Sequence, residues 1–344
     1  MTVGPVPCLK IDAGIPGDLE RVPAEAPALE SQGYDGCWSA EINHDPFLPL
    51  MLAAEHTSHI ELGTSIAVAF ARSPMTVANV AWDLQAYSRG RFILGLGSQI
   101  RAHIEKRFSM PWGHPVQRMR EFVVALRAIW SCWQDGSPLR FEGDFYTHKL
   151  MTPMFVPDPQ PHGVPKVFVA AVGEAMTEMC GEVADGLLGH AFTTKRYLDE
   201  VTVPRLMRGI ERSGRARRDV ALVSPVFVVT GDRETELAAA AAATRKQIAF
   251  YGSTPAYRKV LELHGWGDLQ DELRRLSLQG DWDAMGSLID DDILDAFAVV
   301  APTDELAARL RDRCAGVIDR VLLGLPKSLP RTKVAAILHE LRTP

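Results

Sequence analysis

Hydrophobic positions along the chain follow two periods in alternation. Short runs rich in Val, Ile and Leu, apolar at nearly every position, read as strands covered on both faces. Longer segments, apolar at every third or fourth residue, read as amphipathic helices. Leu9–Ala13 predicts a first strand, followed by a helix-like segment to Ser31 that Pro23 and Pro27 make irregular. Gly33–Trp38 turns into a second strand, Ser39–Asp45 is a polar loop, and Pro46 opens a helix over Phe47–Glu55. Glu61–Phe70, a Pro74-led amphipathic segment and Arg91–Gln99 read as strand, helix, strand, a parallel crossover that no tight turn could make.

A long helix is predicted over Val116–Trp133, with Met119, Phe122, Val123, Leu126, Ile129 and Trp130 on one face. A small hairpin over Leu139–His148 and a proline-rich loop over Met151–Val164 follow it. Alternation then resumes with strands over Lys166–Gly173, Asp185–His190, Ala221–Val229 and Asp319–Pro326. Helices over Glu174–Val183, Lys195–Arg212, Glu234–Tyr251, Thr303–Cys314 and Thr332–Leu341 separate or follow them, with Thr303 as an N-cap. Pro225 implies a bulge or an unpaired N–H inside its strand. Eight strands, each with a following helix, predict an α/β fold, a (β/α)8 TIM barrel over residues 1–344 as one domain. Insertions are expected after strands 4 and 7, the second mostly helical over about 252–297.

Composition narrows the function classes. With 47% hydrophobic and 23% charged residues and a net charge of −6, the chain is an ordinary globular protein with no basic surplus for nucleic acid. No apolar run reaches the length of a membrane span and the N-terminus lacks a signal core, which places the expected location in the cytoplasm. Cys8, Cys37, Cys132, Cys180 and Cys314 are scattered and odd in number, a pattern for buried thiols rather than a disulfide framework or zinc site. The histidines form no H-E-x-x-H or H-x-H cluster, and no metal site is expected. Without a nucleophile motif or metal set, chemistry falls to a bound organic cofactor. Small residues end strands three and four, Ser65-Ile66-Ala67 and Gly95-Leu96-Gly97-Ser98, where a flat ligand could lie against bare backbone.

Four motifs in order, Leu62-Gly-Thr-Ser-Ile, Arg91-Phe-Ile-Leu-Gly-Leu-Gly, Phe141-Glu-Gly-Asp-Phe-Tyr and Val169-Ala-Ala-Val-Gly followed by Ala184-Asp-Gly, resemble the luciferase-like monooxygenase superfamily. Within it they resemble the F420-dependent oxidoreductase branch. The resemblance implies a non-proline cis peptide at Ser65-Ile66 supporting a deazaflavin or flavin ring; the alternative is an ordinary trans strand with Ile66 in the core. It implies cofactor contacts from Gly97, Ser98 and Gln99, with Gln99 standing where relatives often carry glycine. It also implies that Ala171, Val172, Gly173 and Glu174 receive the cofactor phosphate at a helix N-terminus, with the Glu174 side chain turned away.

Deazaflavin-dependent relatives often carry Asp-His after the second strand; here Glu41-Ile42 occupies that place and His44 follows three residues on. Glu41 could bind cofactor or substrate, give a proton, or be a salt-bridge partner, and His44 could substitute for the missing histidine from the same loop. Arg101, His103, Lys106 and Arg107 could form a basic rim for an acidic cofactor tail or a solvated loop, and Trp112 could contact substrate. The expected function is hydride transfer between coenzyme F420 and a small organic substrate by a homodimer. The alternatives are an FMN-dependent monooxygenase and a non-catalytic flavin-binding barrel.

Overall fold

A computed structural model of the chain describes residues 9–343, so the expectations for Cys8 and the first residues lie outside it. Eight parallel strands form the barrel: β1 (Lys10–Gly14), β2 (Gly36–Ser39), β3 (Glu61–Thr64), β4 (Phe92–Gly97), β5 (Lys166–Ala170), β6 (Gly186–Leu188), β7 (Ala221–Val229) and β8 (Arg320–Leu323). Each pairs with the next, and β8 returns to β1, so the sheet closes without an edge. This is the (β/α)8 barrel that the alternating periods predict. Helices ring it, and the longest connections follow β4 and β7.

The helix Pro115–Asp135 shows how periodicity becomes packing. Met119, Phe122, Val123, Leu126, Ile129 and Trp130 are all fully buried against the barrel. Each such side chain contributes roughly 1.5–3 kcal/mol by leaving water. Inside the barrel, Trp38, Ile93, Phe168, Leu188 and Val223 interdigitate from five strands. Gly63 makes room for them: a Cβ there would lie 2.4 Å from the Trp38 ring. At the N-terminal end of the barrel, Arg320 donates to both Asp12 oxygens at 2.7 and 2.8 Å and also to Glu61, which accepts from Lys10 at 2.6 Å. A further apolar cluster, including Phe192, Phe227, Ile248, Leu273 and Phe297, packs the connection after β7 onto the barrel.

Five local expectations change. The third strand is not continuous: it stops at Thr64 and resumes as the short strand Ala67–Val68, which pairs with Leu96 and Gly97. The strand Ala298–Val300, between the helical insertion expected to about 297 and the helix expected from Thr303, where no element was expected, pairs in parallel with Phe227–Val229. Thr303 is not an N-cap, because the helix begins at Leu306 after a turn, with Glu305 in the cap position. The Lys195–Arg212 helix contains a π-helical stretch at Leu198–Thr202, next to Pro204, which has no N–H to give the ladder. Pro225 costs no ladder bond: the Val223 carbonyl faces β6 and accepts from Gly189 N at 2.7 Å, and Pro225, two residues on, faces the same side beyond the end of β6.

Candidate functional site

Functional side chains collect where the strands end in their C-terminal direction. The β3 side of the rim is built around one extra residue. Gly63 faces Ile93, but Ala67, four residues on, faces Leu96, three residues on, so the chain between them bulges. Within that bulge the Ser65-Ile66 peptide is cis, as the resemblance implies. Thr64 replaces the lost ladder contacts with its side chain: Oγ1 donates to the Gly95 carbonyl at 2.7 Å and accepts from Gly95 N at 2.8 Å.

The two glycines of β4 take their meaning from this bulge. A Cβ on Gly95 would sit 1.8 Å from the Thr64 carbonyl, and one on Gly97 would sit 2.7 Å from Ile66 Cδ1. Their smallness therefore admits the neighbouring chain, which corrects the expectation of bare backbone left open for a flat ligand. Gln99 holds φ at +59°, the left-handed region that glycine would occupy, and its Oε1 accepts from Ile100 N at 3.1 Å. The turn keeps its left-handed form with a non-glycine residue in it. Ser98 donates to the Gln99 carbonyl at 3.1 Å.

Glu41 clamps the bulge from β2. Its backbone N–H donates to the Ile66 carbonyl at 3.2 Å, and its carboxylate accepts from Val68 N at 2.7 Å and from Arg72 Nη1 at 2.6 Å. Arg72 reaches on to Asp45 at 3.0 Å and lies over the Phe47 ring. The Glu41 side chain is 7% exposed, so it is a salt-bridge partner within the protein rather than in solvent. His44 stands apart: it is exposed and packs against Gly17 in the loop after β1. Trp112 meets the bulge indirectly, edge-on to Phe70 at 5.8 Å. The basic residues beyond β4 are partly spent, since Arg101 pairs with Glu105 at 3.0 Å and Arg107 donates to the Ile42 carbonyl at 2.5 Å.

The β5 side of the rim carries the other predicted group. The helix Glu174–Val183 begins at Gly173 with no side chain capping its N-terminus, and the space beside Gly173 is open. Glu174 turns to Lys259 at 2.7 Å and Arg205 at 2.5 Å, and these cations hold its carboxyl below the usual range. Lys259 comes from the connection after β7, which is thereby tied to the β5 loop.

His190, just past β6, is a rim residue that the sequence reasoning missed. It ends the apolar strand Gly186-Leu-Leu-Gly-His, and that position is the signal that could have found it. Its Nδ1 accepts from Phe192 N at 3.0 Å, its ring stacks on Tyr257 at 4.8 Å and meets the edge of Tyr251 at 4.7 Å. Burial pushes its pKa down to about 4. Among the described residues, no group of three or more His, Cys, Asp or Glu could hold a metal ion. No described helix is long and apolar enough to cross a membrane.

Comparison with known proteins places this geometry. The family model described as luciferase-like monooxygenase matches residues 8–320. An uncharacterised protein of Mycobacterium tuberculosis is 70% identical over 314 residues, covering 91% of this chain and 92% of its own. A 5,10-methylenetetrahydromethanopterin reductase of Methanolobus tindarius is 27% identical over 320 residues, covering 91% of this chain and 92% of its own. Among solved structures, a coenzyme F420-dependent tetrahydromethanopterin reductase from Methanopyrus kandleri superposes with a TM-score of 0.77 at 20% identity, covering 96% of this chain and 97% of its own.

Proposed function

The chain belongs to the luciferase-like monooxygenase family, and we propose that it is an oxidoreductase that transfers a hydride between coenzyme F420 and a small organic substrate. The observation that carries this reading is the clamped bulge. Ser65 and Ile66 are held from below by Gly97 and from the side by Glu41 and Arg72, at the open end of a closed barrel. A rigid ledge of that kind suits a planar ring, and the uncapped helix at Gly173 suits an anion. The residues present fit the cofactor: Ser65 and Ile66 would lie under the ring with Gly97 backing Ile66, Ser98 and Gln99 beside it, and Ala171, Val172, Gly173 and Glu174 at the phosphate. When bound, F420 supplies the hydride chemistry; the protein binds, orients and excludes water. A relative from Mycobacterium tuberculosis described as a putative coenzyme F420-dependent oxidoreductase, 26% identical over 307 residues, supports F420 as the cofactor.

Glu41 takes a positioning part in this reading. Its carboxylate is committed to Arg72 and to the Val68 amide, so it fixes the ledge. His44, exposed on the same loop, is left at the margin of the substrate space, and Trp112 lines it through Phe70. The whole chain acts as one domain in a homodimer, with the exposed Leu48 and Met51 of the helix Phe47–His56 as an apolar face for a second copy.

The family's monooxygenase description favours a second reading, in which FMN is the cofactor. Titration with F420 and FMN side by side separates the two. We expect micromolar or tighter binding of F420, with FMN at least about 100-fold weaker. Tighter binding of FMN would replace the proposal with the monooxygenase reading, and binding of neither would leave a barrel without this chemistry.

A further inference from the structure

The N-terminal mouth of the barrel, opposite the Ser65-Ile66 ledge, opens into a cavity of about 660 Å³, within the size range of small-molecule sites. Strand parity decides which side chains enter it. Along β5 successive side chains alternate between the two faces, so Lys166 points the same way as Phe168, whose ring packs with Trp38 and Ile93 inside the barrel. Its partner across the ladder is Ile93, which gives the same direction. Ala221 stands two residues before the inward Val223 of β7, and its small side chain leaves room beside Lys166. The cavity is therefore apolar at its floor, with Ile93, Phe168 and Ala221, and cationic around its rim.

Most cations of that rim are already answered. Lys10 and Arg320 belong to the network of Asp12 and Glu61. Arg127 donates to Asp185 at 3.0 Å, Arg217 to Asp319 at 2.8 Å and Arg215 to the Ala184 carbonyl at 2.6 Å. Two remain, for among the described residues neither Lys166 nor Arg218 has a carboxylate partner or a side-chain hydrogen bond. Residues 1–8 hold no Asp or Glu to answer them. In a chain of net charge −6, both free cations line one cavity, whose apolar walls strengthen their field. We propose that this mouth of the barrel binds a small organic carboxylate, its negative group at Lys166 and Arg218 and its apolar body against Ile93, Phe168 and Ala221. Asp185, Asp219 and Asp319 also line the cavity and would repel a second negative charge, which selects a monoanion over a phosphate ester. The apolar floor selects an organic acid over an inorganic ion. The site lies at the opposite end of the strands from the ledge, so it stands independently of the oxidoreductase reading.

The test is calorimetric titration of the whole chain, without cofactor, with 2-naphthoate as the probe. One molecule should bind with a Kd of about 100 μM or tighter, and 2-naphthalenemethanol, the same ring with a neutral polar group, should bind at least about tenfold more weakly. K166M and R218Q should each weaken 2-naphthoate about tenfold, and the double variant further. Their Tm should stay within about 2 °C of wild type, because neither side chain has a partner in the protein to lose. Raising NaCl from about 20 to about 200 mM should weaken binding about threefold. Saturating F420 should leave the affinity for 2-naphthoate within about twofold. No binding at about 1 mM probe overturns the site. So does equal binding of the neutral alcohol, unchanged affinity in both K166M and R218Q, or displacement of 2-naphthoate by F420. Failure of wild type to bind F420 while it still binds 2-naphthoate would defeat the oxidoreductase reading alone.

Discussion

The two ends of the barrel are built on opposite principles. At the N-terminal end, Asp12 and Arg320 are 0% and 4% exposed and meet in a two-pronged pair, and Glu61 and Lys10 complete a network in which the donors and acceptors answer one another. Gly36 leaves the space that this pair fills, since a Cβ there would lie 2.6 Å from both partners. At the C-terminal end the polar groups are left partly unanswered: a helix without a side-chain cap, a buried hydroxyl with no partner among the described residues and a glutamine in the left-handed region. Saturated polar networks hold a fold in one arrangement, whereas unsatisfied ones are where a ligand gains by arriving. On the proposed reading, stability and cofactor binding fall to different ends of the same strands.

Removing one member of the N-terminal network should therefore have the largest effect on stability and the least on binding. Asp12→Ala leaves Arg320 buried with only Glu61 against it, and about 3–5 kcal/mol of unfolding free energy should be lost in urea denaturation. Protein that remains folded should bind F420 within about twofold of wild type. A loss under about 1 kcal/mol, or a large loss of affinity at unchanged stability, would break the division between the ends.

The acid response should come from the rim. His190 has a folded pKa near 4 against an unfolded value near 6.5, so the unfolded state binds more protons between those values. Its contribution is present above about pH 6.5 and is lost as pH falls towards 4. Over that window wild type should lose about 2–3 kcal/mol more than His190→Gln, discounted for the ring's partial exposure. His148 and His264 are also depressed, mainly by burial, and act in the same window, which is why the comparison with the variant is the measurement. Parallel stability curves for the two proteins would mean that His190 is not buried neutral.

Arg72→Met should sit between stability and binding. It leaves the Glu41 carboxylate with only the Val68 amide, at a cost of about 1–2 kcal/mol, and loosens the ledge. F420 affinity should fall about tenfold in fluorescence titration. Arg72→Lys should recover little of it, because one ammonium cannot face both Glu41 and Asp45 as the guanidinium does. Unchanged affinity in Arg72→Met would remove the clamp from the account of the site.

How far the sequence was legible follows the same division. The barrel could be read because its signals are local: strand runs apolar at every position and helices with one apolar face, as in Met119 to Trp130. The bulge was legible as a position, Ser65-Ile66, through an ordered set of motifs. Its consequence for Gly95 and Gly97 was not, because a glycine in a strand looks the same whether it admits a ligand or a neighbouring carbonyl. Glu41 was legible as an ionisable group after β2, but its partner Arg72 lies thirty-one residues away and only the fold brings them together. His190 was missed for the same reason. A lone histidine after an apolar strand carries no spacing signal, and the rings that fix it, Tyr251 and Tyr257, come from a distant connection.

Gln99 gives the smallest effect and the sharpest test of whether the rim's shape is imposed by the fold. A residue with a Cβ at φ +59° gives up roughly 1–2 kcal/mol relative to ordinary backbone. Glycine would relieve that strain but adds freedom to the unfolded chain, about 0.4–1 kcal/mol in the opposite direction. Gln99→Gly should accordingly change stability by under about 1 kcal/mol and leave F420 affinity near wild type. Gln99→Val should differ sharply, because a β-branched side chain tolerates the left-handed region worst, and both stability and affinity should fall. If valine is accepted as well as glycine, the turn after β4 is free to take another shape, and Gly97–Gln99 is then a flexible margin of the site rather than part of its ledge.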